Sequence, residues 1–199
     1  MKNKSNGRNQ VVGEVMYLEF IGRDFIKSAT LLYKENSNSR GSGDYFSTIS
    51  LLASQALELL PKSLIAISIC LKENNKSIDE IRCAINKELG CLNHKLDSIF
   101  NELPELRRAL TISKIKRVNS TGFIDEFRFT VGSPKARKLI RIKNLEAARY
   151  GMFARNKDVG GNSFKDIKNI IDFLEKLLDK ATEIRAKMIN DFDAMHKIN

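Results

Sequence analysis

The sequence predicts an all-α fold, a single-domain up-and-down helical bundle with a basic, partly irregular insertion. Apolar residues recur at spacings of three and four through several long stretches, which is the periodicity of one helical face. The chain holds 3 Pro and 11 Gly, few for the turns of a many-stranded sheet, and no alternating apolar run is long enough to build a large one. At 199 residues and 42% hydrophobic content one domain can bury a sizeable core, whereas two would each approach the size at which burial becomes marginal.

Residues 1–10 contain almost nothing to bury and are expected to be a disordered basic tail preceding the domain at 11–199. The first helix is expected from about Val11 or Val12 to Lys34, with Val12, Val15, Met16, Glu19, Phe20, Arg23, Ile26 and Lys27 alternating faces at helical spacing and Leu31 and Leu32 continuing the apolar side. A Ser/Gly/Asn loop over 35–44 ends at Asp44, a plausible N-cap for the helix that organises the rest, Asp44 to Lys72. That stretch is apolar almost all round, and Pro61 should interrupt or kink it by removing a backbone donor. Ser77 and Glu80 are spaced as a capping box for a helix to Leu89, which Gly90 ends. A further helix over 92–103 stops before Pro104. Residues 105–131 are consistent with a short hairpin or an irregular excursion, because Phe127, Phe129 and Val131 alternate. Ser133 and Pro134 read as N-cap and first residue of a helix carrying Leu139, Ile140, Leu145 and Ala148. After a loop over 149–162, Ser163 and Asp166 signal the start of the last helix, with apolar residues from Ile167 to Phe192 at helical spacing.

Cys70, Cys83 and Cys91 show neither CxxC pairing nor the His spacing of a zinc site, so no metal is expected and a reducing cytoplasm fits. The basic N-terminus has no following apolar h-region, and no apolar run is expected to span a bilayer; a cytoplasmic protein without membrane contact is the expectation.

The formal charge of +10 is concentrated in one segment: residues 107–157 carry 14 Lys+Arg against 3 Asp+Glu, while the flanking parts are nearly neutral. Arg107, Arg108, Lys114, Lys116, Arg117, Lys135, Arg137, Lys138, Arg141, Lys143, Arg149, Arg155 and Lys157 are therefore candidate contacts to a polyanion, with a merely solvated basic face as the alternative. Phe127, Phe129, Tyr150 and Phe153 lie among them and could stack on unpaired bases, although such aromatics are more often core.

Two charged residues stand out on the apolar central helix. Glu58 and Lys62 are four apart, in the favourable orientation for an intrahelical ion pair. Alternatively they converge with His94 on a polar pocket rimmed by Arg149 and Tyr150, a site for a nucleotide or a nucleic-acid phosphate. His94 is otherwise a helix-start residue or a partner of Glu58. DVGGNS, 158–163, could hold one anion at a helix start but lacks the Walker pattern, and no Ser/His/Asp set or carboxylate dyad stands elsewhere; no cofactor is expected.

Three patches in order resemble the HEPN superfamily of small helical bundles. SQALELLPKSLIA, 54–66, is similar to its A-x-E-x-x-x-K-x-L pattern, with Glu58 and Lys62 matched. NHKLDSIF, 93–100, resembles its H-D-L-x-x-L motif, with Lys95 where Asp is common, and ARYG, 148–151, is similar to its R-Y-P. The resemblance implies a HEPN-like helical bundle, a homodimer and a place in bacterial defence, stress or toxin–antitoxin systems. Ribonuclease members carry Arg followed four to six residues later by His; Arg155 and Asn156 stand in that place, but 159–162 are Val, Gly, Gly and Asn. Without imidazole, Arg155 could stabilise phosphate charge but could not move the proton. The expectation is thus a non-catalytic module that binds RNA through residues 107–157. A divergent ribonuclease using Arg155 and Asn156 as a dimer, or a subunit that meets an acidic protein partner, stands as the alternative.

Overall fold

The computed structural model describes residues 3–38, 44–73, 75–120, 124–144 and 164–197. Three long helices, α1 (Asn3–Asn38), α2 (Asp44–Lys72) and α6 (Phe164–Lys197), pack against one another, with α2 as the element that packs on the most others. The short helices α3 (Ile78–Leu92), α4 (Leu96–Asn101) and α5 (Pro104–Ala109) lead into a three-stranded antiparallel sheet ordered β1 (Ile112–Ser120), β2 (Ile124–Val131), β3 (Lys138–Asn144). The fold is mostly helical, but the sheet corrects the all-α expectation.

Ile49, Ala53, Ala56, Leu57, Leu60 and Leu64 of α2 are fully buried in the principal core, which also takes Ile170, Leu174 and Leu177 from α6 and Phe127, Phe129, Ile140 and Ile142 from the sheet. Sheet and helices therefore share one core. A second cluster forms where Val11 and Val15 of α1 meet Ile67 and Cys70 of α2 and Ile81 and Ile85 of α3. Cys70 fills space there as a small apolar residue, and no disulfide links it to Cys83 or Cys91. α1 lies close on α2 because Gly22 has no side chain: a Cβ there would sit 2.9 Å from Leu60 Cγ.

Several boundaries differ from the sequence expectation. α1 begins at Asn3, so residues 3–10 are helical where a disordered tail was expected. Tyr17, Phe20 and Leu31 are exposed, at 64%, 58% and 61%, while Glu19 in the same stretch is buried, so the apolar side of α1 is set by its neighbours and not by its own pattern. α2 is one continuous helix through the buried Pro61. The Ser77–Glu80 capping box is present as expected. Gly90, however, lies within α3, which runs on to the buried Leu92 and ends at Asn93, whose φ is 46°. The helix expected over 92–103 shrinks to α4, and Pro104 opens α5.

The largest correction is at Ser133–Pro134, expected to begin a helix. Residues 138–144 are β3, and 132–137 form the connection from β2, closed by Ala136 N–H donating to Ser133 O at 3.0 Å. Gly132 makes this turn possible: its φ is +101°, and a Cβ would meet Ala136 O at 2.3 Å.

The stretch Thr48–Lys72 is long and apolar enough to cross a bilayer by length and composition, contrary to expectation. The most apolar 18-residue window within it is 61% buried by the rest of the protein, as a core helix is.

Candidate functional site

Directly opposed residues of an antiparallel sheet share a face, so the register sorts the basic segment into two sides. Phe129 stands between Ile115 and Ile140, and Phe127 next to Ile142, on the side that packs on the helices. The Phe129 ring meets Phe100 of α4 edge-on at 5.8 Å and Phe173 of α6 at 5.4 Å. Phe127 and Phe129, considered for base stacking, are thus core residues, 2% and 0% exposed.

The other side is basic. Lys116, Arg128 and Arg141 stand directly opposite one another across all three strands, flanked by the row Lys114, Thr130, Leu139 and the row Val118, Glu126, Lys143. Lys114, Lys116 and Arg141 are exposed and Arg128 is half-buried. A break in register between Ile112 and Lys114 makes this possible. The extra residue, Ser113, lets Ile112 be buried while Lys114 and Lys116 both take the outer side. On this side the acid is Glu126, whose carboxylate accepts from Arg128 Nε. Among the described residues no acidic side chain pairs with Lys114, Lys116 or Arg141. Like charges set directly opposite repel, so the row costs folding free energy and gains from a polyanion laid over it.

The remaining basic candidates divide by position. Lys135 and Arg137 are exposed on the connection between β2 and β3, and Lys138, also exposed, opens β3 opposite Val131. Arg117 is exposed opposite Phe127, and Arg108 is exposed at the end of α5. Arg107 also serves the fold: its Nε donates to Ile112 O and its Nη2 to Ser113 O, each at 3.3 Å, and its Nη1 to Asn101 Oδ1, tying α5 to the start of β1. Three of its five N–H groups are thus used within the fold, by neutral acceptors that leave its charge in place. The side chain of Lys143, and all of Arg149, Tyr150, Phe153, Arg155, Asn156 and Lys157, lie outside the described residues. The same holds for the 158–163 anion candidate and for Ser163 as N-cap.

Glu58, Lys62 and His94 are brought together as the sequence reading allowed. Lys62 Nζ donates to Glu58 Oε1 at 2.7 Å, and His94 Nδ1 lies 2.8 Å from Glu58 Oε2. The positive φ of Asn93 turns the chain after α3, and the turn closed by Lys95 N–H to Leu92 O at 3.1 Å sets His94 over α2. A carboxylate only accepts, so Nδ1 carries the proton of the neutral ring and Nε2 is its acceptor nitrogen. The side chains of Glu58 and Lys62 are 14% and 12% exposed and that of His94 52%, so one oxygen of a nearly buried carboxylate anchors an imidazole at the surface. The ion pair and the three-residue pocket are therefore one structure. Arg149 and Tyr150, expected at its rim, are outside the described residues.

A cavity of about 360 Å³ between the ends of α2 and α6 is lined by Leu71, Lys72, Met188, Asp191 and Phe192 among others. A neighbouring one of about 250 Å³ shares Lys72 and adds Glu88 and Glu102. Three acids against one Lys give this groove the wrong sign for a polyanion.

Sequence reasoning left Arg128 out of the basic candidates and gave Glu19 no role beyond its place at helical spacing. Glu19 is 4% exposed, and both its oxygens accept from Arg185 Nη1 of α6 at 2.9 Å, with Arg23 Nη2 at 3.3 Å from Oε1. The one available signal was an acid in the apolar stripe of α1. Comparison with protein-family models, with characterised proteins and with solved structures returns no match.

Proposed function

We propose that this chain is a non-catalytic nucleic-acid-binding module, with RNA as its ligand, and that the contact surface is the outer face of the β1–β2–β3 sheet with the 132–137 connection. The observation that carries the proposal is the row Lys116, Arg128, Arg141, flanked by Lys114, with Glu126 as the acid on that face. Such an array attracts phosphates by releasing their condensed counterions, and its affinity falls steeply with salt. The fold adds a reason to the composition: the core takes Phe127, Phe129, Ile140 and Ile142 from one side of the sheet, and half of the described positions on the other side are cationic.

The HEPN-like character, and with it a role in bacterial defence or a toxin–antitoxin pair, belongs to the same proposal. It is supported by Glu58, Lys62 and His94, which carry the resemblance and meet in the fold. The sheet lies outside the three resembling patches. The ribonuclease alternative rests on Arg155 and Asn156, outside the described residues, and gains nothing from the described geometry.

Fluorescence anisotropy with a labelled RNA, at a series of salt concentrations, tests the proposal. The wild-type chain should bind at low salt, and charge reversal at Lys116, Arg137 and Arg141 should abolish binding while leaving the circular dichroism spectrum unchanged. Binding that ignores both salt and charge reversal would rule the surface out. RNA cleavage abolished by Arg155→Ala would turn the reading toward the enzyme.

A further inference from the structure

We infer that the ligand of this face is a nucleic-acid duplex, held by its phosphates and read without regard to base sequence. The inference rests on the nucleic-acid reading above and adds the class of ligand.

Proteins that hold unpaired bases add to a cationic groove aromatic side chains on which the bases stack. Among the described residues the outer face has no such surface. The described positions on it are Lys, Arg, Glu, Thr, Val and Leu, and the stacking candidates Phe127 and Phe129 are sealed between sheet and helices, while Tyr150 and Phe153 lie outside the described residues. What remains is a mainly cationic grip, in which Arg128 is shared with Glu126. A duplex concentrates about one charge per 1.7 Å of axis, and each phosphate neutralised on it contributes about 0.9 to the logarithmic salt slope, against about 0.7 on a single strand. A grip of this kind therefore favours the duplex.

The geometry agrees. Strands about 4.8 Å apart and alternate residues about 6.8 Å apart along each strand fix Lys114, Lys116, Arg128 and Arg141 on a patch about 10 Å wide and 7 Å long. The patch is rigid because Phe129 anchors its middle strand to α4 and α6. At the Lys114 end the 132–137 connection carries the array beyond the strands through Lys135 and Arg137. Phosphates already fixed on a duplex can dock on a preset array without first being ordered, whereas a flexible single strand loses conformational freedom on the same surface.

Competition on the wild-type chain decides the matter. With a labelled 20-base-pair RNA duplex as probe at 50 mM salt, an unlabelled duplex of unrelated sequence should compete equally. DNA duplex should compete within tenfold, and the separated strands more than tenfold worse. Arg141→Gln should lower the logarithmic salt slope by about one and weaken every duplex alike. A single strand that competes as well as the duplex, or a tenfold preference among duplex sequences or between RNA and DNA duplexes, would overturn the inference while leaving nucleic-acid binding in place. Failure of the chain to bind either labelled duplex or labelled single strand at 50 mM salt would overturn both.

Discussion

Arg185 of α6 reaches across to Glu19 of α1 and places one Nη1 at 2.9 Å from each carboxylate oxygen, joining helices 166 residues apart in sequence. The carboxylate is almost fully buried and the guanidinium four-fifths so. Removing one partner of a buried pair costs about 3–5 kcal/mol, because a charge is left without its counterpart. Arg23 still approaches Glu19 at 3.3 Å, so Arg185→Met should fall at the low end, about 3 kcal/mol, read as a drop in the urea midpoint. Glu19→Met with Arg185→Met should recover most of that loss. A double variant no better than the single one would show that the pair is not what the single change removes.

Phe129 is the residue through which the sheet is fastened. Fully buried between Phe100 and Phe173, it should cost about 3–5 kcal/mol on Phe129→Ala, and less on Phe129→Leu, which keeps most of the volume. The melting temperature should fall in that order. Hydrogen exchange should report the sheet loosening along with the helices, since the two share a core.

The parts of the fold carried by local chemistry were legible in the sequence, and those carried by distant contacts were not. The Ser77–Glu80 box and the apolar character of α2 and α6 depend on neighbours three to four residues away, which a sequence displays. The alternation of Phe127, Phe129 and Val131 did offer the β1–β2 hairpin, but the full sheet was hidden for three separate reasons. In β1 the apolar residues Ile112 and Ile115 are three apart, an odd spacing that only the bulge at Ser113 reconciles with a strand. In β3 the exposed Leu139 beside Ile140 imitates a helical stripe. In the connection, Ser133–Pro134 carries the signature of a helix start, and the positive φ of Gly132 decides otherwise. The candidate site was half legible. The charge surplus located the segment, but which cations share a face follows from strand register, and the commitment of Arg107 to Ile112, Ser113 and Asn101 follows from the turn after α5.

Gly132→Ala tests that turn. Its backbone conformation is one that alanine rarely adopts, and the added Cβ would overlap Ala136 O. Gly132 N–H also donates to Thr111 O at 3.1 Å, so distortion spreads to the start of β1. A loss of about 1–3 kcal/mol is expected. Because Lys135 and Arg137 ride on the same connection, duplex affinity should fall in parallel with stability.

Acid should weaken the contact of α1 with α3. Arg82 Nε donates to Glu14 Oε2 at 3.0 Å, and this bond, more than the charge of Arg82, holds the Glu14 carboxyl below its usual value near 4.5. The Ser77 hydroxyl, and then its backbone N–H, do the same for Glu80. A carboxyl whose value is lowered in the folded chain contributes stability that is present above the ordinary value and lost as pH falls through the folded one. Melting temperature should therefore decline below about pH 4.5, and less steeply in a variant carrying Glu14→Gln and Glu80→Gln. An unchanged slope in that variant would assign the acid limb to other carboxylates.

Glu58 separates the structural from the functional account of its cluster, because its two partners differ in burial. His94 is half exposed, and Glu58 keeps Lys62 when the imidazole is removed, so His94→Ala should cost less than about 1 kcal/mol. Glu58→Ala instead strands the ammonium of Lys62, whose side chain is 12% exposed, and should cost about 3 kcal/mol. An exposed pair at this spacing would be worth only about 0.5 kcal/mol, so the size of the loss reports whether burial decides it. His94→Ala then becomes the informative variant for binding, being folded and changed only at the surface. If the pocket receives a phosphate of the nucleic acid, affinity in the anisotropy titration should fall several-fold in that variant with the melting temperature held. If Glu58, Lys62 and His94 only brace α2 against the turn after α3, affinity should stay at the wild-type value.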